Sequence, residues 1–134
     1  MSSSVKQIEE SRELQLQFEK RGGILPVIVQ ESSTNQILMI ASVNEQALHE
    51  SIKQKLAAFW STSRNELWIK GLTSGNKLHL DDILIDCDQD ALIYKVTLEG
   101  DGACHTTSIT GKHRTSCFYR KLDLTSKELR FLEE

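Results

Sequence analysis

The sequence predicts an α+β fold dominated by sheet, in a single domain with short flanking helices. Three observations carry that expectation. A length of 134 residues suits one hydrophobic core. The 39% hydrophobic and 26% charged content is that of an ordinary globular chain. Short β-branched runs bounded by polar turns recur through the middle, while helical patterning is confined to a few stretches. The expected organisation is a helical extension over residues 1–22, a main domain over 23–122 and a C-terminal helix over 123–134.

Residues 4–19 are rich in helix formers, with a loose apolar stripe of Ile8, Leu14 and Phe18, and Gly22-Gly23 ends them. Leu25 to Gln30 and Gln36 to Ala41 are strand-like runs around the turn formers Ser32-Ser33-Thr34-Asn35, which predicts a hairpin. Asn44 is a suitable N-cap for a helix reaching about Leu56, with Ala47, Leu48 and Ile52 on one side. Phe59 to Thr62 and Leu67 to Ile69 read as short strands, followed by a loop over Gly71-Leu72-Thr73-Ser74-Gly75. Lys77 to Asp86 and Ala91 to Leu98 form the strongest strand pair. A loop rich in Gly, Thr and Ser spans 99–115, and a segment of that length in a small domain usually carries function. Cys117 to Arg120 is a last short strand, and Thr125-Ser126-Lys127-Glu128 fits a capping box opening a helix.

The net charge of −3 argues against a duplex nucleic-acid binder. No apolar run approaches the roughly 18 residues of a membrane span, and the acidic start lacks a secretory core, so the cytoplasm is expected. The charge is unevenly distributed. Seven acids lie from His79 to Asp101 against Lys95 alone, whereas Lys112, Arg114, Arg120 and Lys121 lie between Cys104 and Lys121 with no acid. That split suits a cation site and an anion site; two solvated faces of opposite sign explain it as well. Three cysteines, Cys87, Cys104 and Cys117, cannot all pair within one chain, which leaves buried thiols, a reactive thiol or metal ligands.

Asp86-Cys87-Asp88-Gln89-Asp90 is the most informative stretch. In an extended strand, Asp86, Asp88 and Asp90 share one face, roughly 6–7 Å apart, and Cys87 points the other way. Such carboxylates suit a hard ion such as Mg²⁺, and the thiolate suits zinc. An EF-hand loop is excluded because Ala91 and Thr97 stand where Gly and Glu are required. The plain alternative is a solvated acidic turn beside a buried Cys87. With Cys104 and Cys117 the chain holds three thiolates, which would leave a fourth zinc position open for water; His105 or His113 as fourth ligand would make the site structural instead.

Four blocks in order carry a resemblance to the phosphoribosyl-AMP cyclohydrolase family, over about Leu25 to Arg120. They are Leu38-Met39 through Asn44-Glu45-Gln46-Ala47-Leu48, Trp60 through Gly75 with its Arg64-Asn65-Glu66-Leu67-Trp68 centre, Asp86 through Asp90, and Ala103-Cys104-His105-Thr106 with Ser116-Cys117-Phe118-Tyr119-Arg120. The resemblance implies hydrolysis of the N1–C6 bond of the adenine ring in phosphoribosyl-AMP, giving the formimino aminoimidazole-carboxamide ribotide of histidine biosynthesis. It also implies a barrel-like β-rich fold, an intertwined homodimer, one zinc per chain on Cys87, Cys104 and Cys117 drawn from both chains, and Mg²⁺ at Asp86, Asp88 and Asp90. Thr62 stands where the family usually has arginine, Ser42 where an aromatic is frequent, and the Cys104–Cys117 loop is longer than in many members. The 14 residues after Arg120 are too few for the pyrophosphohydrolase domain that many relatives carry.

His105, beside a zinc thiolate, is the candidate proton shuttle. Trp60, Ser61, Ser63, Arg64, Lys70, Thr73 and Ser74 offer the groups that hold phosphates and ribose hydroxyls, although at least one of Trp60 and Trp68 is expected in the sheet core. His49 and His79 read as surface or satisfied residues. Two other functions fit the same residues: a related zinc hydrolase of another N-heterocycle, and a non-catalytic zinc-stabilised interaction module.

Overall fold

Leu25, Val27 and Val29 are fully buried and alternate with half-buried Pro26, Ile28 and Gln30, so that Leu25–Glu31 (β1) presents one whole face to the core. The computed structural model describes residues 5–132. Ile37–Val43 (β2) returns antiparallel beside β1 through a turn in which Asn35 takes a left-handed φ of 63°. On the other side of β1 lies Leu92–Leu98 (β6), parallel to it, and Leu78–Ile85 (β5) pairs antiparallel with β6. The order β2-β1-β6-β5 makes a mixed sheet of four strands.

That sheet is open rather than closed into the expected barrel. The remaining strands pair with one another as two separate hairpins: Ala58–Ser61 (β3) with Glu66–Ile69 (β4), and Arg120–Leu122 (β7) with Leu129–Phe131 (β8). Edges β2 and β5 therefore have no further strand beside them among the described residues.

Asn44 accepts the Ala47 amide at 2.9 Å and starts a helix over Glu45–Gln54 (the long helix), which stops at Lys55 in a left-handed conformation. Ala47, Leu48 and Ser51 are buried, whereas Ile52, expected beside them, is half exposed. Ser51 ties three elements together. Its hydroxyl lies 2.9 Å from the Ala47 carbonyl and accepts the Ala58 amide at 2.9 Å and the Tyr94 hydroxyl at 3.1 Å. Phe59 packs on Trp68 and Tyr94, with ring centroids 5.0 and 5.9 Å away.

Both chain ends depart from the sequence expectation. The helix expected over 4–19 is confined to Val5–Glu10, followed by extended chain and a single 3-10 turn at Phe18–Arg21. The reason is tertiary: the amides of Gln15 and Gln17 bond to Gln89 rather than to a preceding helical turn. The C-terminal helix is replaced by the β7–β8 hairpin. Asp123 captures the amides of Thr125 and Ser126 at 2.9 and 3.0 Å, and Lys127 turns left-handed at φ 64°, so the presumed capping box closes a turn. The segment is too short for a helix to be stable without an apolar face to bury. Of the strand expected over Cys117 to Arg120 only Arg120 lies in a strand, while Cys117 N donates to Leu38 O at 2.7 Å and Tyr119 O accepts the Leu132 amide at 2.9 Å. Residues 1–4 and 133–134, the outermost parts of the predicted extension and helix, lie outside the described residues. Among those described, no helix is long and apolar enough to cross a membrane.

Candidate active site

After β5 the chain reverses over residues 86–91, with Gln89 left-handed at φ 56°. The Asp86 carboxylate accepts the amides of Asp90 at 2.9 Å and Ala91 at 3.1 Å, which curls the segment back on itself. As a result one oxygen each of Asp86, Asp88 and Asp90 lies within 4.8 Å of the others. The carboxylates converge as expected, but through a turn and not through strand alternation, which would have held them further apart. Cys87 projects from the same turn and is exposed.

Three carboxylates this close repel, and the N-terminal segment supplies the opposing charge. Lys20 Nζ lies 2.8 Å from Asp90 and 3.1 Å from Asp88, and an Arg21 nitrogen lies 3.0 Å from Asp90. The Lys20 ammonium, working against burial and joined by Arg21, holds the Asp90 carboxyl well below the usual carboxylate range. Burial pushes Asp86 the other way, upward. The Gln89 side chain clasps the same segment, accepting the Gln15 amide at 2.6 Å and donating to the Glu13 carbonyl at 3.2 Å.

Cys104 and Cys117 sit on opposite limbs of the long loop. The limbs are laced by Ala103 N to Thr115 O, Cys104 N to Arg114 O and Arg114 N to Thr106 O, each at 3.0 Å. Gly102 permits this approach, since a Cβ there would strike the Arg114 carbonyl. The Ser116 hydroxyl donates to the Ile37 carbonyl at 2.6 Å and anchors the second limb to β2. The two thiols lie close enough to shift each other's ionisation. Burial raises the Cys104 pKa, but the Thr106 hydroxyl at 2.9 Å, the Thr106 amide, Cys117 and Arg114 outweigh it, so Cys104 is the better thiolate. Burial and the neighbouring Cys104 push Cys117 up to about 11, while the Lys70 ammonium pulls it down. Cys87 does not join them: among the described residues of one chain the three thiols form no single cluster.

His105 is exposed beside Cys104. His113 turns inward, its Nδ1 3.0 Å from the Cys104 carbonyl. His49 is exposed on the long helix, and His79 lies 3.3 Å from Glu99, in keeping with surface or satisfied roles.

In the 60–75 block, Trp60 and Trp68 are both half buried against the core. Ser61 Oγ accepts the Arg64 amide at 3.2 Å and lies 3.4 Å from Ser63 Oγ; the Arg64 side chain is exposed and 3.5 Å from Glu66. Gly71 adopts φ +84° where a Cβ would collide with the Asn76 backbone, and its carbonyl accepts the Gly75 amide at 2.8 Å, so that exposed Thr73 and Ser74 ride on a closed loop. Lys70 is the member of this block whose charge reaches the thiol pair.

The donor sets fit the ions the resemblance implies. Two neighbouring thiols, one tuned toward thiolate, suit zinc and have no third ligand beside them among the described residues; three convergent carboxylates suit Mg²⁺. The sequence reading missed Lys20, Arg21, Gln89 and Thr106. A Lys-Arg pair ahead of Gly22-Gly23, in a chain with an uncompensated aspartate triplet, is the signal for the first two; Thr106 and Gln89 carry none that spacing reveals.

Comparison with known proteins bears on this geometry. The family description "Phosphoribosyl-AMP cyclohydrolase" matches residues 39–119. A protein of that name from Desulfatibacillum aliphaticivorans is 43% identical over 110 residues, covering 82% of this chain and 83% of its own. Another of that name from Chlorobium phaeovibrioides is 48% identical, over 81% of this chain and 73% of its own, and one from Hyphomonas neptunium is 42% identical, over 86% and 82%.

Proposed function

The chain belongs to the phosphoribosyl-AMP cyclohydrolase family, and from that premise we propose that it opens the adenine ring of phosphoribosyl-AMP by hydrolysing the N1–C6 bond, with zinc on thiolates and Mg²⁺ at the aspartate turn. It is a hydrolase of a cyclic amidine in histidine biosynthesis. The observation that carries the metal reading is the facing Cys104–Cys117 pair, laced into place by the long loop, with Cys104 biased toward thiolate by Thr106 and Arg114.

The third thiolate is proposed to come from a second copy of the chain. Supporting this is an apolar row on the sheet face turned away from the core: Ile40 on β2, Ile28 on β1, Ile93 on β6 and Leu84 on β5 stand side by side by register. Ile40 and Leu84 are 59% and 47% exposed. A cavity of about 370 Å³ against this row is bordered by Ile85 and Asp86, which lead into Cys87. A copy seated on such a face removes apolar area from water and meets Cys87 at its edge.

Zinc, when bound, supplies a water acidified toward neutrality for attack at C6. His105, exposed next to Cys104, would take a proton from the nucleophile side and return it to the leaving ring nitrogen. Lys70, whose charge reaches Cys117, orients an anionic part of the substrate toward the thiol pair. Ser61, Ser63, Arg64, Thr73 and Ser74 offer exposed or half-exposed donors, and Trp60 a ring edge, for the ribose and phosphates.

The test is the ultraviolet change on mixing the zinc-loaded protein with phosphoribosyl-AMP. Turnover is expected. His105→Asn is expected to lower kcat by about 10²–10⁴-fold with zinc retained, and His113→Asn far less. Wild-type turnover in His105→Asn would remove that residue from the chemistry. Loss of zinc in the same variant would make it a ligand.

A further inference from the structure

We propose that the Lys20 ammonium, seconded by Arg21, is the resident counter-ion of the Asp86–Asp88–Asp90 turn, and that a divalent cation binds there only by displacing it. The N-terminal segment and the metal then compete for the same carboxylates. This rests on the Mg²⁺ reading of the turn given above, and adds to it the chain's own competitor.

The geometry leads there directly. One nitrogen, Lys20 Nζ, bridges Asp88 at 3.1 Å and Asp90 at 2.8 Å, the position that a cation held by both would take. Arg21 takes the same Asp90 oxygen, Oδ2, at 3.0 Å. The Asp90 side chain is 6% exposed and Asp88 34%, so neither has many other directions in which to meet a metal. One Asp86 oxygen is already committed to the amides of Asp90 and Ala91, leaving its second oxygen as donor. Mg²⁺ requires direct contact at about 2.0–2.1 Å and strict octahedral geometry. A Mg²⁺ ion on Oδ2 of Asp90 would sit against two cations already within hydrogen-bond distance of that oxygen.

The charges agree. Three carboxylates facing Lys20 and Arg21 carry a residual charge of about one negative unit when all are ionised, so the turn is nearly neutralised without metal. With a divalent ion added and both cations in place it would become net positive. The half-exposed Lys20 has an open route to solvent when displaced. The segment need not leave with it, because Gln89 holds Gln15, Gln17 and Glu13 independently of the carboxylates.

Isothermal titration of MgCl₂ into the zinc-loaded full-length protein tests this without relying on activity. Four variants are compared with the unsubstituted protein: Lys20→Met, Lys20→Arg, Asp88→Asn and Asp90→Asn. Lys20→Met is expected to tighten Mg²⁺ binding about 5-fold or more, the lower end of coupling between competing sites, while Lys20→Arg stays near the starting affinity. The aspartate variants are expected to weaken binding and so mark the location of the ion. Asp88→Asn, at a partly exposed side chain, serves if Asp90→Asn fails to fold. Unchanged or weaker binding in Lys20→Met, with binding lost in the aspartate variants, overturns the competition and leaves the Mg²⁺ site standing. Undiminished binding in both aspartate variants overturns the Mg²⁺ site, and the competition with it.

Discussion

Ser51 and Tyr94 bind the core together through polar atoms that have no access to water. Tyr94 is fully buried, and its hydroxyl donates to Ser51 at 3.1 Å. Burial, opposed in part by the Ser51 hydrogen bond, pushes the Tyr94 pKa up to about 12. An unfolded tyrosine ionises near pH 10. Between these values the folded state keeps a proton that the unfolded state has lost, so this contribution is present below about pH 10 and is lost as pH rises toward 12. Its size is on the order of 2–3 kcal/mol. Urea unfolding from pH 9 to 12 is expected to show that decline, and Tyr94→Phe is expected to flatten it. An identical slope in Tyr94→Phe would assign the alkaline loss to other groups.

At the scale of elements, the long loop behaves as an irregular ladder rather than a free excursion. Its limbs touch where Gly102 meets the carbonyls of His113 and Arg114. A Cβ at that point meets backbone, which cannot swing aside as a side chain does. Gly102→Ala is therefore expected to part the limbs bearing Cys104 and Cys117, lowering zinc affinity by at least about ten-fold while far-ultraviolet dichroism stays near its original shape. Gly111→Ala is the control. Gly111 has open space around it at φ +84°, so the change costs only backbone strain of roughly 1–2 kcal/mol and should spare the zinc. Equal zinc loss in both variants would show that the loop's conformation, not the contact at Gly102, governs the site. The C-terminal hairpin follows similar local logic: Asp123 closes its turn, and Tyr119 stacks on Phe131 with centroids 5.9 Å apart.

For the whole molecule, the proposal to test is that a zinc site is shared between two chains, each supplying part of its thiolates. Mixed dimers answer it. Cys87→Ser and Cys104→Ser chains are each expected to be inactive alone, because every site loses one ligand. If Cys87 crosses between chains, a mixed dimer keeps one intact site, formed by Cys87 of the Cys104→Ser chain with Cys104 and Cys117 of its partner. Refolding the two variants together in equal amounts should restore about a quarter of the sites, since half the dimers are mixed under random pairing and each has one good site of two. Zinc content and turnover should recover together. No recovery on mixing would place all three thiolates in one chain, and the exposed Ile40–Ile28–Ile93–Leu84 row would then need another explanation.

Several features were legible from residue order alone because their causes are local. The β-branched run from Leu25 to Gln30 and the strand-like run from Ala91 to Leu98 mark strands, Asn44 caps the helix that follows, and the ordered motifs identify the family. The cysteines, aspartates and His105 were nameable as candidates because their donor chemistry is a property of the side chain. What only the tertiary structure decided are relations between distant segments. The aspartates converge through a turn held by Asp86, Lys20 and Arg21 reach that turn across some 70 residues, and Lys70 comes to the Cys117 thiol. Helix propensity around residues 11–19 and the capping pattern at 125–128 yielded to hydrogen bonds from Gln89 and Asp123. Propensity is worth tenths of a kcal/mol per residue; near Gln89 the cost of leaving a part-buried amide without a partner exceeds it, and at 123–128 the Asp123 carboxylate holds two exposed amides in a turn instead of a helix.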